Sequence, residues 1–546
     1  MFSYKDKKFL IVDDQKAFHV MLKTMLTNQG AKNINFADCA ESAVRIAHRQ
    51  NFDIYLIDYN LGPGKNGSQL LDYLRNNQLI PNTALCFIIT GDNNKGMVLT
   101  AIEKSPDDYL MKPFSQTQLY NRLSKASQKK IALADVFDAL HHKDYAQAIT
   151  LCKEKIHNDA KFRGLCKHLL ADIFIETKQY SAAERILKPL VDQRPLVRAS
   201  ISLGKAYYLQ KKYPQAIALL KNIMESYPLQ IEAYQWLARA YQQSEQLSQA
   251  LKILTQAANL THHSIERHQE VALLAKEMAE HQIMQTSYSA ILQLSRNSFY
   301  PDPCHLANYI HSIIAHAVIQ EDLTERKIIL KQVNSALYQS RFEEGRYRDF
   351  DFNNFDNLCQ ANVFFALNEP LKAKRKTLNT LHNTENPIAE FDNTLLCESV
   401  FSLLDVGEFD YAAPYLEELK QRDIIDATTR ASIEKHTGET FEVRLRSFKA
   451  HNKLGIQAFA QNLYSNALSH FNKALALEPL NSGALLNRIQ VYLKLLKRAS
   501  ASEREELLSH CQNSFSLLSN TRLPEEHSLR YKELKTEFRE LKPSKK

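Results

Sequence analysis

The pattern of apolar residues changes near residue 125, and this change constrains the fold more than any other feature of the chain. Before it, short apolar runs such as 9–12 and 54–57 alternate with amphipathic stretches. This alternation is typical of a parallel sheet sandwiched by helices. After a polar junction at 124–130 the apolar residues follow helical periodicity alone. A chain of 546 residues with both patterns is predicted to form several domains.

Five strand–helix units are predicted in the first part. The strands are expected at 9–12, 34–36, 54–57, 85–89 and 108–111, and the helices at 17–29, 40–49, 69–75, 95–104 and 116–125. In an open parallel sheet the reactive site lies at the carboxyl ends of the strands. Polar residues at those positions are therefore the candidates for chemistry.

Three carboxylates, one hydroxyl and one ammonium group follow four of the predicted strands. They are Asp13 and Asp14 after the first strand, Asp58 after the third, Thr90 after the fourth and Lys112 after the fifth. Any one of these alone is an ordinary loop residue. Because the carboxyl ends of parallel strands share one edge of a sheet, the five side chains are expected to lie together.

These residues, in this order and spacing, closely resemble the response-regulator receiver domain, a flavodoxin-like fold, over residues 5–126. The resemblance implies that Asp58 is the nucleophile that accepts a phosphoryl group. It also implies that Asp13, Asp14, Asp58 and the backbone carbonyl of Asn60 hold Mg²⁺, a hard cation that prefers oxygen ligands. Clustered carboxylates repel one another, and such a cation relieves the repulsion.

Further roles follow from the same resemblance. Lys112 would pair with Asp58 and then with a phosphoryl oxygen, which phosphoryl transfer requires for charge neutralisation. The peptide bond from Lys112 to Pro113 is expected to be cis, an isomer that only X–Pro bonds adopt at low cost. Thr90 would hydrogen-bond the phosphate, and Tyr109 would turn inward when Thr90 moves. The signal is then expected to run through 116–130 into the following helices.

Two residues are expected to control the lifetime of the phosphorylated form. In the family, the positions two beyond the phosphorylated Asp and the switch Thr tune attack by water, and here they are Asn60 and Asp92. The loop at 59–67 is one residue longer than the commonest family form. Its exact path is therefore left open by the resemblance.

The second part of the chain repeats with a period of ~34 residues and resembles the tetratricopeptide repeat (TPR). Small residues recur at matched positions: Ala171 and Ala183, Gly204 and Ala216, Ala238 and Ala250, and Gly455 and Ala467. Small side chains let two antiparallel helices approach closely. We expect an all-α TPR-like superhelix with TPR repeats at 131–262, degenerate TPR-like repeats at 263–445, and a C-terminal repeat with capping helices at 446–540.

Composition excludes several classes of protein. The net charge of +8 is spread among interspersed acids and bases, so DNA binding is not expected. Eight cysteines are scattered without metal-ligand spacing, which favours reduced thiols. There is no signal-peptide pattern and no apolar stretch long enough to span a membrane. We therefore expect a cytoplasmic protein without membrane contact.

No second catalytic motif is visible beyond residue 130, so no separate enzymatic output domain is expected. The pairs His141-His142 and His262-His263 are poor chelates, because adjacent helical residues point about 100° apart. The stretch 341–356 mixes basic and aromatic residues and leaves a ligand patch as an alternative.

The sequence thus favours a two-component response regulator. Its expected partners are a cognate histidine kinase or phosphotransfer protein, and an unidentified protein held in the TPR groove; a homodimer through the receiver is a further option. Two alternatives stay open: a scaffold that works without phosphorylation, and a regulator that binds RNA or another nucleic acid through the helical repeats. Salt-dependent retention on nucleic acid would distinguish the last of these.

Overall fold

The computed structural model describes residues 3–91, 106–193, 196–296, 298–299, 301–342, 347, 350–422, 429–430, 433–434 and 437–542. The chain forms two compact units, Met1–Pro301 and Asp302–Lys546. Within the described residues, no helix combines the length and the apolar character that crossing a membrane requires. All eight cysteines are free thiols, and all but Cys39 are buried.

The first unit begins with a parallel sheet of five strands in the order β2-β1-β3-β4-β5. The strands are β1 (Lys8–Val12), β2 (Asn33–Ala37), β3 (Ile54–Asp58), β4 (Leu85–Thr90) and β5 (Asp108–Met111). Every residue of β3 and β4 is buried, because helices cover both faces of the sheet. This explains their uninterrupted apolar runs and confirms the predicted sheet.

Four described helices accompany the sheet. They are α1 (Lys16–Thr27), α2 (Ala40–Ala47), α3 (Gly67–Asn76) and α4 (Gln116–Ala132). Reciprocal capping pairs begin two of them, Asn66 with Gln69 at α3 and Ser115 with Gln118 at α4. The helix predicted at 95–104 lies outside the described residues.

The polar junction at 124–130 is helical, since α4, predicted to end at 125, continues through it to Ala132. The buried residues Leu119, Leu123 and Ala126 keep helical spacing across this stretch. Lys130 near its end binds the carbonyl of Ala84 and lies 3.4 Å from Asp107. The polar composition therefore marks the outer face of a long helix and not a linker.

Helix pairs make up the rest of the first unit. They are α5 (Ala134–His141), α6 (Tyr145–Asn158), α7 (Arg163–Glu176), α8 (Tyr180–Gln193), α9 (Val197–Leu209), α10 (Tyr213–Ser226), α11 (Ile231–Gln243), α12 (Leu247–Leu260), α13 (Ile265–Glu277) and α14 (His281–Ser295). A Cβ on Gly204 would lie 2.7 Å from the Leu220 side chain, so α9 and α10 touch at the predicted small residue. Ala216 and Ala250 are fully buried, as the repeat register predicts.

The second unit is helical throughout its described residues. Its helices are α15 (Cys304–Val318), α16 (Leu323–Arg341), α17 (Phe352–Ala366), α18 (Pro370–His382), α19 (Pro387–Glu390), α20 (Asn393–Asp405), α21 (Phe409–Gln421), α22 (Glu439–Ala460), α23 (Tyr464–Leu477), α24 (Ser482–Leu496), α25 (Ala501–Leu518) and α26 (Glu525–Leu541). A Cβ on Gly455 would lie 2.6 Å from the Phe471 ring, which repeats the contact seen at Gly204.

The basic and aromatic stretch at 341–356 is described only in part, with Phe342 exposed and other side chains packed. Phe350 is buried and its ring lies 5.3 Å from that of Phe355. Arg341 is paired with Asp356 at 3.2 Å. Arg346 and Arg348 lie outside the described residues. The described side chains of this stretch thus include both packed residues and the exposed Phe342, and a ligand patch here stays an alternative.

Candidate functional site

Three carboxylates meet at the carboxyl edge of the sheet. Asp13 and Asp14 directly follow β1, and Asp58 is the last residue of β3, the strand beside β1. One carboxylate oxygen from each lies within 4.8 Å of the other two. Asp13 and Asp58 are buried, whereas Asp14 is exposed. The cluster thus has one side open to solvent.

Lys112 joins this cluster from the end of β5. Its Nζ donates to Asp13 Oδ2 at 2.6 Å and to Asp58 Oδ2 at 2.9 Å. The same Nζ lies 3.9 Å from the centre of the Phe18 ring. The bond between Lys112 and Pro113 is cis. One ammonium group therefore hydrogen-bonds two buried carboxylates.

The Asp58 carboxylate is buried and has an oxygen that no described group hydrogen-bonds. Burial raises the pKa of its carboxyl to about 6; Lys112 acts to lower it, while Asp13 and Asp14 raise it further. Its Oδ1 is buried and makes no hydrogen bond within the described part of the chain. A buried carboxylate oxygen without a donor is costly unless a cation or a reaction partner reaches it.

Thr90 and Tyr109 lie on the neighbouring strands. Thr90 ends β4 and is buried, and its carbonyl accepts a hydrogen bond from Lys112 N at 2.7 Å. Tyr109 lies on β5, half-buried, with the Arg122 guanidinium 5.7 Å from its ring centre. Thr90 is therefore at the site, while the described contact of Tyr109 is with α4.

The loop that follows Asp58 is fixed to it by backbone contacts. Tyr59 N donates to the Ile89 carbonyl at 2.7 Å, and Gly67 N donates to the Tyr59 carbonyl at 2.8 Å. A Cβ on Gly67 would lie 2.0 Å from the Asp58 carbonyl oxygen, so only glycine fits there. Asn60 is exposed, and its Oδ1 accepts from Gly62 N at 3.2 Å. Asp92 lies outside the described residues.

The donor set fits a hard divalent cation. Three carboxylates with oxygens close together are ligands that Mg²⁺ prefers. The unpartnered Asp58 Oδ1 supplies a free oxygen in the same cluster. A single lysine does not neutralise three clustered acids, so a bound cation would relieve their repulsion.

Two side chains at this end of the domain were not predicted. Phe18 on α1 covers Lys112. Lys65 in the loop after Asp58 pairs with Glu41 at 2.6 Å. Neither carries a sequence signal, because an aromatic residue on a helix and a lysine in a loop are both common without function.

Comparison with known proteins agrees with this geometry. A family model for the response regulator receiver domain matches residues 9–124, and models for the tetratricopeptide repeat match 168–230 and 207–276. The chain is 31% identical over 135 residues to a probable chemotaxis protein CheY of Rhizobium etli, spanning 24% of this chain and 94% of the relative.

Two further relatives match the same region. The chemotaxis protein CheY of Pseudomonas aeruginosa is 27% identical over 122 residues, spanning 22% of this chain and 97% of the relative. The crystal structure of a CheY-like receiver domain from Methanospirillum hungatei is 22% identical, covers 23% of this chain and 95% of its own, and has a TM-score of 0.21. Through its N-terminal domain the chain belongs to the response regulator receiver family, and TPR repeats follow that domain.

Proposed function

We propose that Asp58 accepts a phosphoryl group from a histidine kinase or phosphotransfer protein, in a reaction that needs Mg²⁺, and that its phosphorylation state controls protein binding by the repeat region. The observation that carries the first half is the buried Asp58 Oδ1, which has no donor in the described part of the chain and lies beside Asp13, Asp14 and Lys112. The receiver family membership supports the same chemistry.

The residues of the site divide the work of phosphoryl transfer. An oxygen of Asp58 forms the bond to phosphorus, while the bond from phosphorus to the donor breaks and its electron pair stays with the donor. Lys112 already lies 2.9 Å from Asp58 and is placed to neutralise a phosphoryl oxygen. Asp13 and Asp14 would hold Mg²⁺, which when bound neutralises charge on the phosphoryl oxygens.

Hydrolysis of the phosphorylated form is expected to depend on the loop residues. Asn60 is exposed two positions beyond Asp58, where an attacking water must pass. Asp92 takes the corresponding position beyond Thr90. Changing either residue should alter the rate of phosphate loss more than the affinity for Mg²⁺. Unchanged rates in both single variants would contradict this assignment.

The repeat region is proposed as the output surface, because stacked helix pairs form concave surfaces that bind peptides or helices. A candidate contact is Trp236, the only tryptophan of the chain. Lys205 Nζ and the Arg239 guanidinium lie 5.1 and 4.7 Å from its ring centre. Aromatic residues beside cations are frequent in protein interfaces.

Partner affinity is expected to change by roughly 5–150-fold between the two states of Asp58.

The test is labelling of the full chain by acetyl phosphate with and without Mg²⁺. Wild-type protein should be labelled only with Mg²⁺, and Asp58→Asn should not be labelled. Asp138→Asn is the matched control, since Asp138 is an exposed acid far along the chain from the sheet edge. Label retained in Asp58→Asn, or labelling that chelation leaves unchanged, would refute the proposed chemistry.

The output half is tested by pull-down with the full chain, with and without the phosphoryl mimic beryllofluoride and Mg²⁺. A partner whose recovery depends on beryllofluoride in the wild type, but not in Asp58→Asn, supports regulated binding. Equal recovery in every condition would favour the scaffold that works without phosphorylation.

A further inference from the structure

One aromatic contact joins the receiver to the repeat region inside the first unit. The ring of Phe299, which follows α14, lies 4.3 Å from the ring of Tyr73 on α3. Lys65 Nζ lies 4.7 Å from the centre of the same Phe299 ring. Phe299 is partly buried and packs against the core on this side of the sheet. Two residues of the receiver thus hold one residue of the repeat region.

Both receiver residues are tied to the phosphoacceptor. Lys65 lies in the loop that starts at Asp58, and Tyr73 lies on the helix that this loop begins. The contact of Gly67 with the Asp58 carbonyl leaves no room for even a methyl group. Asn66 in turn fixes the first turn of α3 through Gln69. Close packing of this kind transmits displacement from Asp58 to the start of α3.

A cleft lies beside this contact, between α3 and the repeat helices. Its volume is about 840 Å³. Tyr59, Gln69 and Tyr73 line it from the receiver, and Glu232, Trp236 and Arg239 line it from α11. The receiver therefore forms one wall of the surface that carries the candidate partner contact.

We propose that the Phe299 contact is the connection through which the receiver controls the repeat groove. Modification of Asp58 shifts the loop that carries Lys65 and the helix that carries Tyr73. Their displacement against Phe299 changes the spacing between α3 and α11, and with it access to Trp236. This inference rests on the proposed function and specifies its route. It differs from the route expected from the sequence, which runs from Thr90 through Tyr109 and α4.

The route matters because a modification shifts a conformational equilibrium only through contacts that differ between the two states. Phe299 touches elements that begin at Asp58, and it follows α14, the last helix of the first unit. Lys65 Nζ contacts both the Glu41 carboxylate and the Phe299 ring. A change in the loop therefore alters both interactions together.

Trp236 provides a readout that needs no identified partner. The experiment measures its emission maximum and its quenching by acrylamide in the full chain, before and after beryllofluoride with Mg²⁺. Occupancy of Asp58 is followed separately by ¹⁹F NMR. Wild-type protein should show a shift in emission and a change in quenching as the site fills.

The decisive variants are Phe299→Ala and Lys65→Met. Both should bind beryllofluoride as the wild type does but lose the change at Trp236. Phe342→Ala is the matched control, because Phe342 is 77% exposed, and it should respond normally. Tyr109→Leu tests the other route and should keep the response. Lys65→Met also serves if Phe299→Ala fails to fold.

The outcomes separate the two proposals. A wild-type site that never fills would overturn the proposed phosphoacceptor function. A site that fills in both decisive variants while the Trp236 response persists would overturn this inference alone. Loss of the response in Tyr109→Leu, with normal behaviour of Phe299→Ala, would assign the connection to the Thr90–Tyr109 route instead.

Discussion

Two buried lysine–carboxylate clusters, one in each unit, have opposite character. In the first unit Lys112 pairs with Asp13 and Asp58, yet Asp58 Oδ1 has no donor among the described residues, and Asp14 lies exposed beside it. One ammonium group lies among three carboxylates, and the site is open to solvent on one side. Unsatisfied capacity of this kind leaves room for a cation and a phosphoryl group.

In the second unit the charged groups of Lys374 and Glu408 are buried and paired with each other. Lys374 is fully buried and gives its three protons to Glu408 at 2.7 Å, Ser482 Oγ at 2.8 Å and the Leu480 carbonyl. Glu408 also accepts from Ser482 N at 3.1 Å. The cluster joins α18, the turn before α21 and the start of α24. Its hydrogen bonds and ion pair hold these elements together.

The difference shows that burial alone does not identify a reactive site. Both lysines are paired with buried acids, but within the described parts of the chain only the first cluster keeps a buried carboxylate oxygen without a hydrogen-bond partner. If this distinction holds, the two units respond differently to substitution.

The largest effect is expected from removal of Lys374, the fully buried lysine of the second unit. Lys374→Met leaves Glu408 buried without its partner, and breaking a buried pair in this way costs ~3–5 kcal/mol. Lys112→Met also leaves acids uncompensated, but Mg²⁺ can replace the missing charge there. Thermal unfolding with and without Mg²⁺ should show recovery in Lys112→Met and none in Lys374→Met. Equal effects of Mg²⁺ on both variants would remove the distinction between the clusters.

A backbone contact beside Asp58, in the cluster with Asp13, Asp14 and Lys112, should give the next largest effect. Gly67→Ala places a Cβ 2.0 Å from the Asp58 carbonyl, and overpacking of this kind costs ~1–3 kcal/mol or more. We expect lower stability together with loss of labelling at Asp58. Gly164→Ala is the control, because a Cβ there meets no atom within 4 Å. Normal labelling of the Gly67→Ala protein would show that the loop path is not tied to the site.

Substitution at the helix contacts should destabilise the repeats without touching the open cluster. Ala216→Leu and Ala467→Leu insert three carbons at fully buried positions, which costs ~1–3 kcal/mol. Beryllofluoride binding should be retained in both. Ala146→Leu, at an exposed helical position, should unfold at the wild-type temperature. If the two buried variants also match the wild type, the repeat register is incorrect.

The smallest effect concerns Glu478, an intermediate case in the second unit. Burial raises its pKa to about 7; Arg444, 2.9 Å away, acts to lower it and Asp405 raises it further. The folded state then binds more protons than the unfolded state between about pH 4.5 and 7, so stability falls as pH rises through this window.

Glu478→Gln should remove that fall. The difference in unfolding free energy between Glu478→Gln and the wild type, measured from pH 5 to 8, should shift in favour of Gln as pH rises. A difference that is constant with pH would mean that the Glu478 carboxyl is ionised throughout this range.

Much of the first site was predictable because its residues follow strands. Asp13, Asp58 and Lys112 are far apart in sequence, yet each comes at the carboxyl end of a parallel strand, and the sheet brings those ends together. The spacing of small residues predicted the helix contacts at Gly204 and Gly455 for a similar reason. Both patterns are local and repeat with the period of the element.

Other features left no such pattern. The helix α4 runs through residues whose polarity resembles a linker, because one helical face points to solvent while Leu123 and Ala126 pack inward. The loop at 59–67 also had an undetermined path, which the contact of Gly67 with Asp58 settles.

The sequence by itself determined the class of the first domain, the residues at the carboxyl edge of its sheet and the tetratricopeptide repeats at 168–276, because each depends on the spacing of side chains along one element. Only the tertiary structure decided that Lys374 meets Ser482, 108 positions away, and that Phe299 meets Tyr73. Those pairs depend on how separate elements pack, and the free energy of such packing is spread over many weak contacts that no single stretch of sequence records.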